Sequence, residues 1–128
     1  MKKYIKKIHL EKKFSLKQIS NFGNLVGDNH KLHKDIKFCK KKKFKSIVSQ
    51  GLFVSSICSS FVNKIFSNNA IIIRQKFNYR QPVYINEKLK FLAQSEYFDK
   101  RFQLYKIGFK IYNKKKLKCD GEIIVKII

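Results

Sequence analysis

The apolar positions of this 128-residue chain fall into two regimes that meet near Asn68-Asn69. Residues 4–14 alternate loosely, with Tyr4, Ile8 and Leu10 set among lysines, which predicts a first, edge-like strand. Leu16, Ile19, Phe22 and Leu25 then recur at helical spacing, and Ser15 followed by Gln18 forms a capping-box pattern ahead of them. Gly23 and Gly27 punctuate the end of that helix. Asp35 is placed to cap a second short helix through Phe38 and Cys39, running into Lys40-Lys41-Lys42-Lys43. From Leu52 to Phe66 charge nearly vanishes, and apolar or small residues occupy nearly every side of the predicted helix. Such a helix is a buried one, and about 15 residues would reach roughly 22 Å.

Beyond Asn69 the period changes to two. Strands are expected at Ile71–Tyr79, Leu89–Phe98, Phe102–Tyr112 and Leu117–Ile127, separated by Arg80-Gln81-Pro82, Asp99-Lys100 and Asn113–Lys116. Short turns join antiparallel neighbours. The expected architecture is therefore α+β: one domain over residues 1–128, its antiparallel sheet wrapped around the buried helix. There are no internal repeats and no composition shift that would mark a linker.

Composition changes this picture little. The apolar fraction of 44% argues against disorder although 30% of residues are charged. The longest apolar runs are far too short to span a bilayer, and the lysine-rich N-terminus has no apolar segment behind it to act as a secretory signal. Cys39, Cys58 and Cys119 show no metal-ligand spacing and fit a reducing, cytoplasmic setting. The net charge of +22 invites a nucleic-acid reading. However, only three of the thirty basic residues are arginine, the side chain suited to bidentate base and phosphate contacts. Lysine, isoleucine, phenylalanine and asparagine are all abundant, as in an AT-biased coding sequence, so a solvated lysine surface is the simpler account.

Candidate chemistry is concentrated in Gly27-Asp28-Asn29-His30-Lys31-Leu32-His33. A carboxylate and an imidazole on one short loop can hold a water between them, one taking its proton and the other orienting it. Asp-x₄-His alone is more often an ordinary solvated turn, so the loop gains meaning only from its surroundings. Gly51 opens the buried helix, whose first N–H groups point beyond its N-terminus. Ser59 lies further along that helix, where a serine commonly bonds its own backbone. His9 sits among lysines in the first strand, and His30 reads as a surface side chain.

Four motifs in register carry a resemblance. The Asp28…His33 loop resembles the signature of the MaoC-like, (R)-specific enoyl-thioester hydratases, in which Gly-Asp is followed by Asn-Pro and a His five residues after the Asp. The Ile47-Val48-Ser49-Gln50-Gly51 segment is similar to that family's Ile-Val-His-Gly. Tyr79-Arg80-Gln81-Pro82-Val83 resembles its aromatic-Arg-x-Pro-Val motif, and Gly121-Glu122 ahead of Ile123-Ile124-Val125 its closing strand. The chain departs from the pattern at His30 (Asn), Lys31 (Pro), Gln50 (His) and Asn86-Glu87 (Gly-Asp).

The resemblance implies a hot-dog fold and reversible hydration of a trans-2-enoyl thioester to its (R)-3-hydroxyacyl form. It places Asp28 and His33 on the attacking water, Gly51 as oxyanion donor and Ser59 on the thioester or the water. It implies a homodimer and no metal or redox cofactor, with coenzyme A or acyl carrier protein serving as the substrate's handle. Two other functions share such a fold: thioester hydrolysis, and a non-catalytic module that binds a polyanionic partner through its lysines.

Overall fold

A computed structural model describes residues 2–128. A 3₁₀ turn at Lys2–Tyr4 precedes strand β1 (Lys7–Lys12), so the first strand is shorter than the alternation predicts. Helix α1 (Leu16–Val26) starts on the expected capping box: Ser15 accepts from the Gln18 amide while the Gln18 side chain accepts from the Ser15 amide. It stops at Gly27, whose φ of 77° lies in the left-handed region that a side chain resists. Helix α2 (Ile36–Lys41) begins where Asp35 accepts from the Phe38 amide.

The predicted Leu52–Phe66 helix is two helices, α3 (Gly51–Cys58) and α4 (Ser60–Phe66), broken at Ser59. The cause is a run of serines. Ser56, Ser59 and Ser60 donate their hydroxyls to the carbonyls of Phe53, Ser56 and Ile57 at 2.7, 2.8 and 2.7 Å. Hydroxyls bonded back three residues compete with the helical ladder and tighten it; the Ser59 and Val62 amides likewise bond three residues back, at 3.1 Å each.

Strands β2 (Ala70–Tyr79), β3 (Leu89–Asp99), β4 (Leu104–Asn113) and β5 (Lys116–Ile127) complete the chain. All five strands pair antiparallel in the order β1-β3-β4-β5-β2. Strand β4 starts two residues later than expected because Asp99 caps a 3₁₀ turn at Lys100–Phe102 and Gln103 adopts a left-handed conformation. On the inner face Leu89, Phe91, Ile107, Phe109, Ile111 and Ile123 pack with Val54, Cys58, Phe61, Val62, Ile65 and Phe66 of the two helices in one core. Phe61 meets Phe109 edge-on at 5.4 Å and Phe66 meets Tyr105 at 5.3 Å, so aromatic pairs fix the helices against the sheet.

Two further features position the site. Residues 47–49 pair with residues 83–85: Ser49 N–H donates to Val83, Ile85 N–H to Ile47, and Val48 bridges Tyr84. This short ladder holds the entry to α3. At the other side, a Cβ on Gly121 would collide with the Lys76 carbonyl oxygen and the Phe77 ring. Glycine there lets β2 lie closely against its neighbour β5.

Candidate active site

The loop between α1 and α2 is more ordered than its sequence implies. Residues Lys31–His33 form a single 3₁₀ turn capped by His30, whose Nδ1 accepts from the Leu32 amide at 3.0 Å. Asp28 Oδ1 in turn accepts from the His30 amide at 3.3 Å, and the His33 amide donates to the His30 carbonyl. His30 is exposed, as expected, but its ring serves the backbone of the turn rather than projecting idle into solvent.

That turn brings Asp28 and His33 together. His33 Nδ1 lies 2.7 Å from the Val48 carbonyl oxygen, and His33 Nε2 lies 3.4 Å from Asp28 Oδ2. A carbonyl only accepts, so Nδ1 carries a proton and, in the neutral ring, Nε2 carries the lone pair. A carboxylate oxygen and an imidazole lone pair then face one another, two acceptors that a donor such as water can bridge. A separation of 3.4 Å is long for a direct hydrogen bond, and a water seated on the open side can bond to both. The His33 side chain is 15% exposed and that of Asp28 40%, so one member is sheltered and the other reaches solvent.

Val48 connects this pair to the helix start. Its amide donates to the Leu32 carbonyl at 2.9 Å while its carbonyl receives His33 Nδ1. Three residues on, Gly51 opens α3, which has no side-chain cap. The Gln50 side chain is directed elsewhere: Nε2 donates to the Ile19 carbonyl at 2.9 Å and ties α1 to the helix entry. Among the described residues, the amides of Gly51 and Leu52 have no partner, so the dipole end of α3 remains available to an acceptor.

The neighbours of Gly51 include two residues that sequence reasoning missed. A Cβ there would lie 2.9 Å from the Tyr79 ring, and the Tyr79 hydroxyl is 3.0 Å from Ser55 Oγ. Only a glycine admits the ring so close. Tyr79 belongs to the aromatic-Arg-x-Pro segment, and that aromatic was the available signal. Ser55 is buried whereas Ser59 is exposed with its hydroxyl on the Ser56 carbonyl.

A cavity of about 500 Å³ opens at the N-terminus of α3, lined among others by Val48, Gly51, Tyr79, Pro82, Val83 and Lys118. Val48 is common to this cavity and to the His33 contact. Lys118 is buried, with Nζ 3.1 Å from Glu87 Oε2 and donating to the Pro82 carbonyl at 2.8 Å. It anchors the segment after β2, as do the Arg80 and Gln81 amides on the Lys118 carbonyl. A larger groove, of about 730 Å³, crosses the outer face of the sheet among charged side chains and contains neither Asp28 nor His33.

Residues 5–111 match the sequence profile of the MaoC-like domain. The chain belongs to the MaoC-like dehydratase family. Its fold is the hot-dog, shared with an (R)-hydratase from A. caviae involved in PHA biosynthesis. The two chains are 20% identical, superpose with a TM-score of 0.89 and align over 97% of this chain and 96% of that one. A protein from Archaeoglobus fulgidus is 26% identical with a TM-score of 0.86, over 97% of this chain and 78% of its own. The HadBC (3R)-hydroxyacyl-ACP dehydratase complex of Mycobacterium tuberculosis is 13% identical with a TM-score of 0.80, over 94% and 95%. At 20% and 13% identity the first and third of these likenesses speak for the fold. No curated protein matches the sequence. Among the described residues, no helix is long and apolar enough to cross a membrane.

Proposed function

We propose that this chain is an (R)-specific enoyl-thioester hydratase, interconverting a trans-2-enoyl thioester and its 3-hydroxyacyl form. The observation that carries the reading is the orientation of His33. With Nδ1 held by the Val48 carbonyl, Nε2 is directed toward the Asp28 carboxylate, next to the segment that leads into Gly51.

In the hydration direction Asp28 orients a water and His33 Nε2 accepts its proton as the oxygen bonds to C3. Electron density moves from the C2–C3 double bond onto the thioester oxygen. The Gly51 amide, at the uncapped start of α3, donates to that developing charge. The proton held by the pair then passes to C2, so one water has been added and every group has returned to its initial state. In this reading the apolar cavity beyond Gly51 takes part of the acyl chain, and Ser59 is a candidate contact to the thioester or the water.

Coenzyme A or an acyl carrier protein carries the substrate. Eight of the fifteen residues from 31 to 45 are lysine, far above the frequency elsewhere in the chain, and they flank the pair on the side of α2. Such a field draws phosphates or an acidic surface toward the site. A homodimer fits the open edge of β2, where Ile71 and Ile73 are each about half exposed.

The test is hydration of crotonyl, octenoyl and longer enoyl thioesters on both carriers. Loss of the conjugated absorbance without release of thiol is expected. Thiol release with the chromophore retained would replace the reading with thioester hydrolysis.

A further inference from the structure

His30 is tied to both members of the pair. Its amide donates to Asp28 Oδ1, its carbonyl receives the His33 amide, and its Nδ1 receives the Leu32 amide within the turn that carries His33. The last of these bonds is conditional. Nδ1 accepts only while it is unprotonated, so the capped turn requires the neutral ring with its proton on Nε2. Protonation places an N–H on Nδ1 facing the Leu32 N–H, and the cap is lost.

We propose that His30 is a positioning residue for His33, so that the active geometry is favoured while the His30 ring is neutral and caps the turn. This rests on the hydratase reading for its kinetic consequence but not for its structural one.

Charged and aromatic groups surround His30. The Asp28 carboxylate lies on its backbone side, and the His33 ring is 5.9 Å away between centroids. The Phe38 ring meets it edge-on at 6.0 Å, and the Lys31 and Lys42 ammonium groups lie 5.9 and 5.7 Å from that same ring. Asp35 caps α2 on the far side of the turn. A cationic His30 would also sit beside the imidazole that must collect a proton from water. Both effects, loss of the cap and repulsion of charge at His33, act in the same direction as pH falls.

The test has a structural and a kinetic readout. In ¹⁵N–¹H spectra of the full chain, the Leu32 amide should titrate in step with the His30 ring and should cease to do so in H30N. Asparagine accepts at an N-cap as histidine does, but has no proton to gain. In the hydration assay H30A should lose about fivefold in kcat/KM at neutral pH, the worth of a typical cap, and H30N should recover it. The acid limb of kcat/KM should be steeper in the wild type, where two imidazoles must be neutral, than in H30N. A Leu32 amide indifferent to His30 protonation overturns the proposal. So does an H30A enzyme with wild-type activity and pH profile. A wild type without hydratase activity removes the catalytic reading, and the Leu32 titration alone then decides whether His30 is a conditional cap.

Discussion

His33 donates its Nδ1 proton to the carbonyl of Val48 at 2.7 Å, and that contact selects the tautomer of the candidate base. The Val48 carbonyl is itself fixed, because the Val48 amide bonds Leu32 and the flanking residues pair with Val83 and Ile85. The ring is thus oriented by main chain on one side and faces Asp28 on the other. Acid–base chemistry needs both conditions: a lone pair that points at the water, and a partner that keeps the ring from turning away.

Replacing either member separates their roles. H33A should lower kcat for hydration by about 10²–10⁴, and D28N, which keeps the shape but cannot take or hold a proton, by a comparable factor. The double variant should lose little more than the worse single one, since the two act as a unit. Steady-state rates on one enoyl thioester, with melting curves to confirm folding, check this. Additive losses would mean that the residues do not share one water.

Gly51 offers a second test because two accounts of it differ. Its missing Cβ admits the Tyr79 ring, which would lie 2.9 Å from such an atom, and it also leaves the first amide of α3 open to a carbonyl. Tyr79 is half exposed and can shift, so G51A should fold with a loss of about 1 kcal/mol, typical of mild overpacking. Its activity should fall by about 10²–10³ as the oxyanion donor is screened. Adding Y79A should relieve the crowding and restore the melting temperature without restoring the rate. Recovery of both would assign the glycine to Tyr79 packing alone.

The buried Lys118 gives a stability prediction. Its side chain is 5% exposed and its ammonium is held by Glu87 and the Pro82 carbonyl. E87A leaves that charge without its counter-ion and should cost about 3 kcal/mol. K118M removes the buried charge and should cost less, about 1 kcal/mol, chiefly for the Pro82 carbonyl left without a donor, because the Glu87 carboxylate is 21% exposed and keeps the Tyr84 amide. Urea unfolding of the two variants checks the order. Equal costs would show that the ammonium reaches water once Glu87 is gone.

Much of the architecture was legible because it rests on local rules. The Ser15–Gln18 box, the Asp35 cap and the two-residue period of β3 and β4 are each written in adjacent positions. The break at Ser59 was not, because a run of serines reads as a small-residue helix face until the hydroxyls are seen on carbonyls three residues back. The pairing of residues 47–49 with 83–85 spans too few residues to show a period. At the site, the motif brought Asp28, His33 and Gly51 to attention, but main-chain contacts specify their geometry. The Val48 carbonyl and the His30 cap depend on where a turn places backbone atoms, which no residue type announces.

The buried thiols predict how stability responds to alkali. Burial pushes the Cys119 thiol up to about 12, with the Asp120 charge adding to the effect and Arg80 opposing it. Cys58 is raised as well, by burial first and by Cys119 second. In the unfolded chain both would ionise near the ordinary thiol value of about 8.5. Between that value and about 12 the unfolded chain therefore binds fewer protons than the native one, and stability falls as pH rises. Below it the thiols are protonated in both states and contribute no pH dependence. Burial, with Tyr97 second, raises the Tyr105 phenol too, so a loss of the same sign continues at higher pH. The urea midpoint of the wild type, measured from pH 7 to 11, should thus decline relative to that of C58A/C119A, with the gap opening above about pH 8.5. The comparison removes the effect of lysine deprotonation, which both chains share. A constant difference across the range would show that the native thiols ionise as freely as unfolded ones.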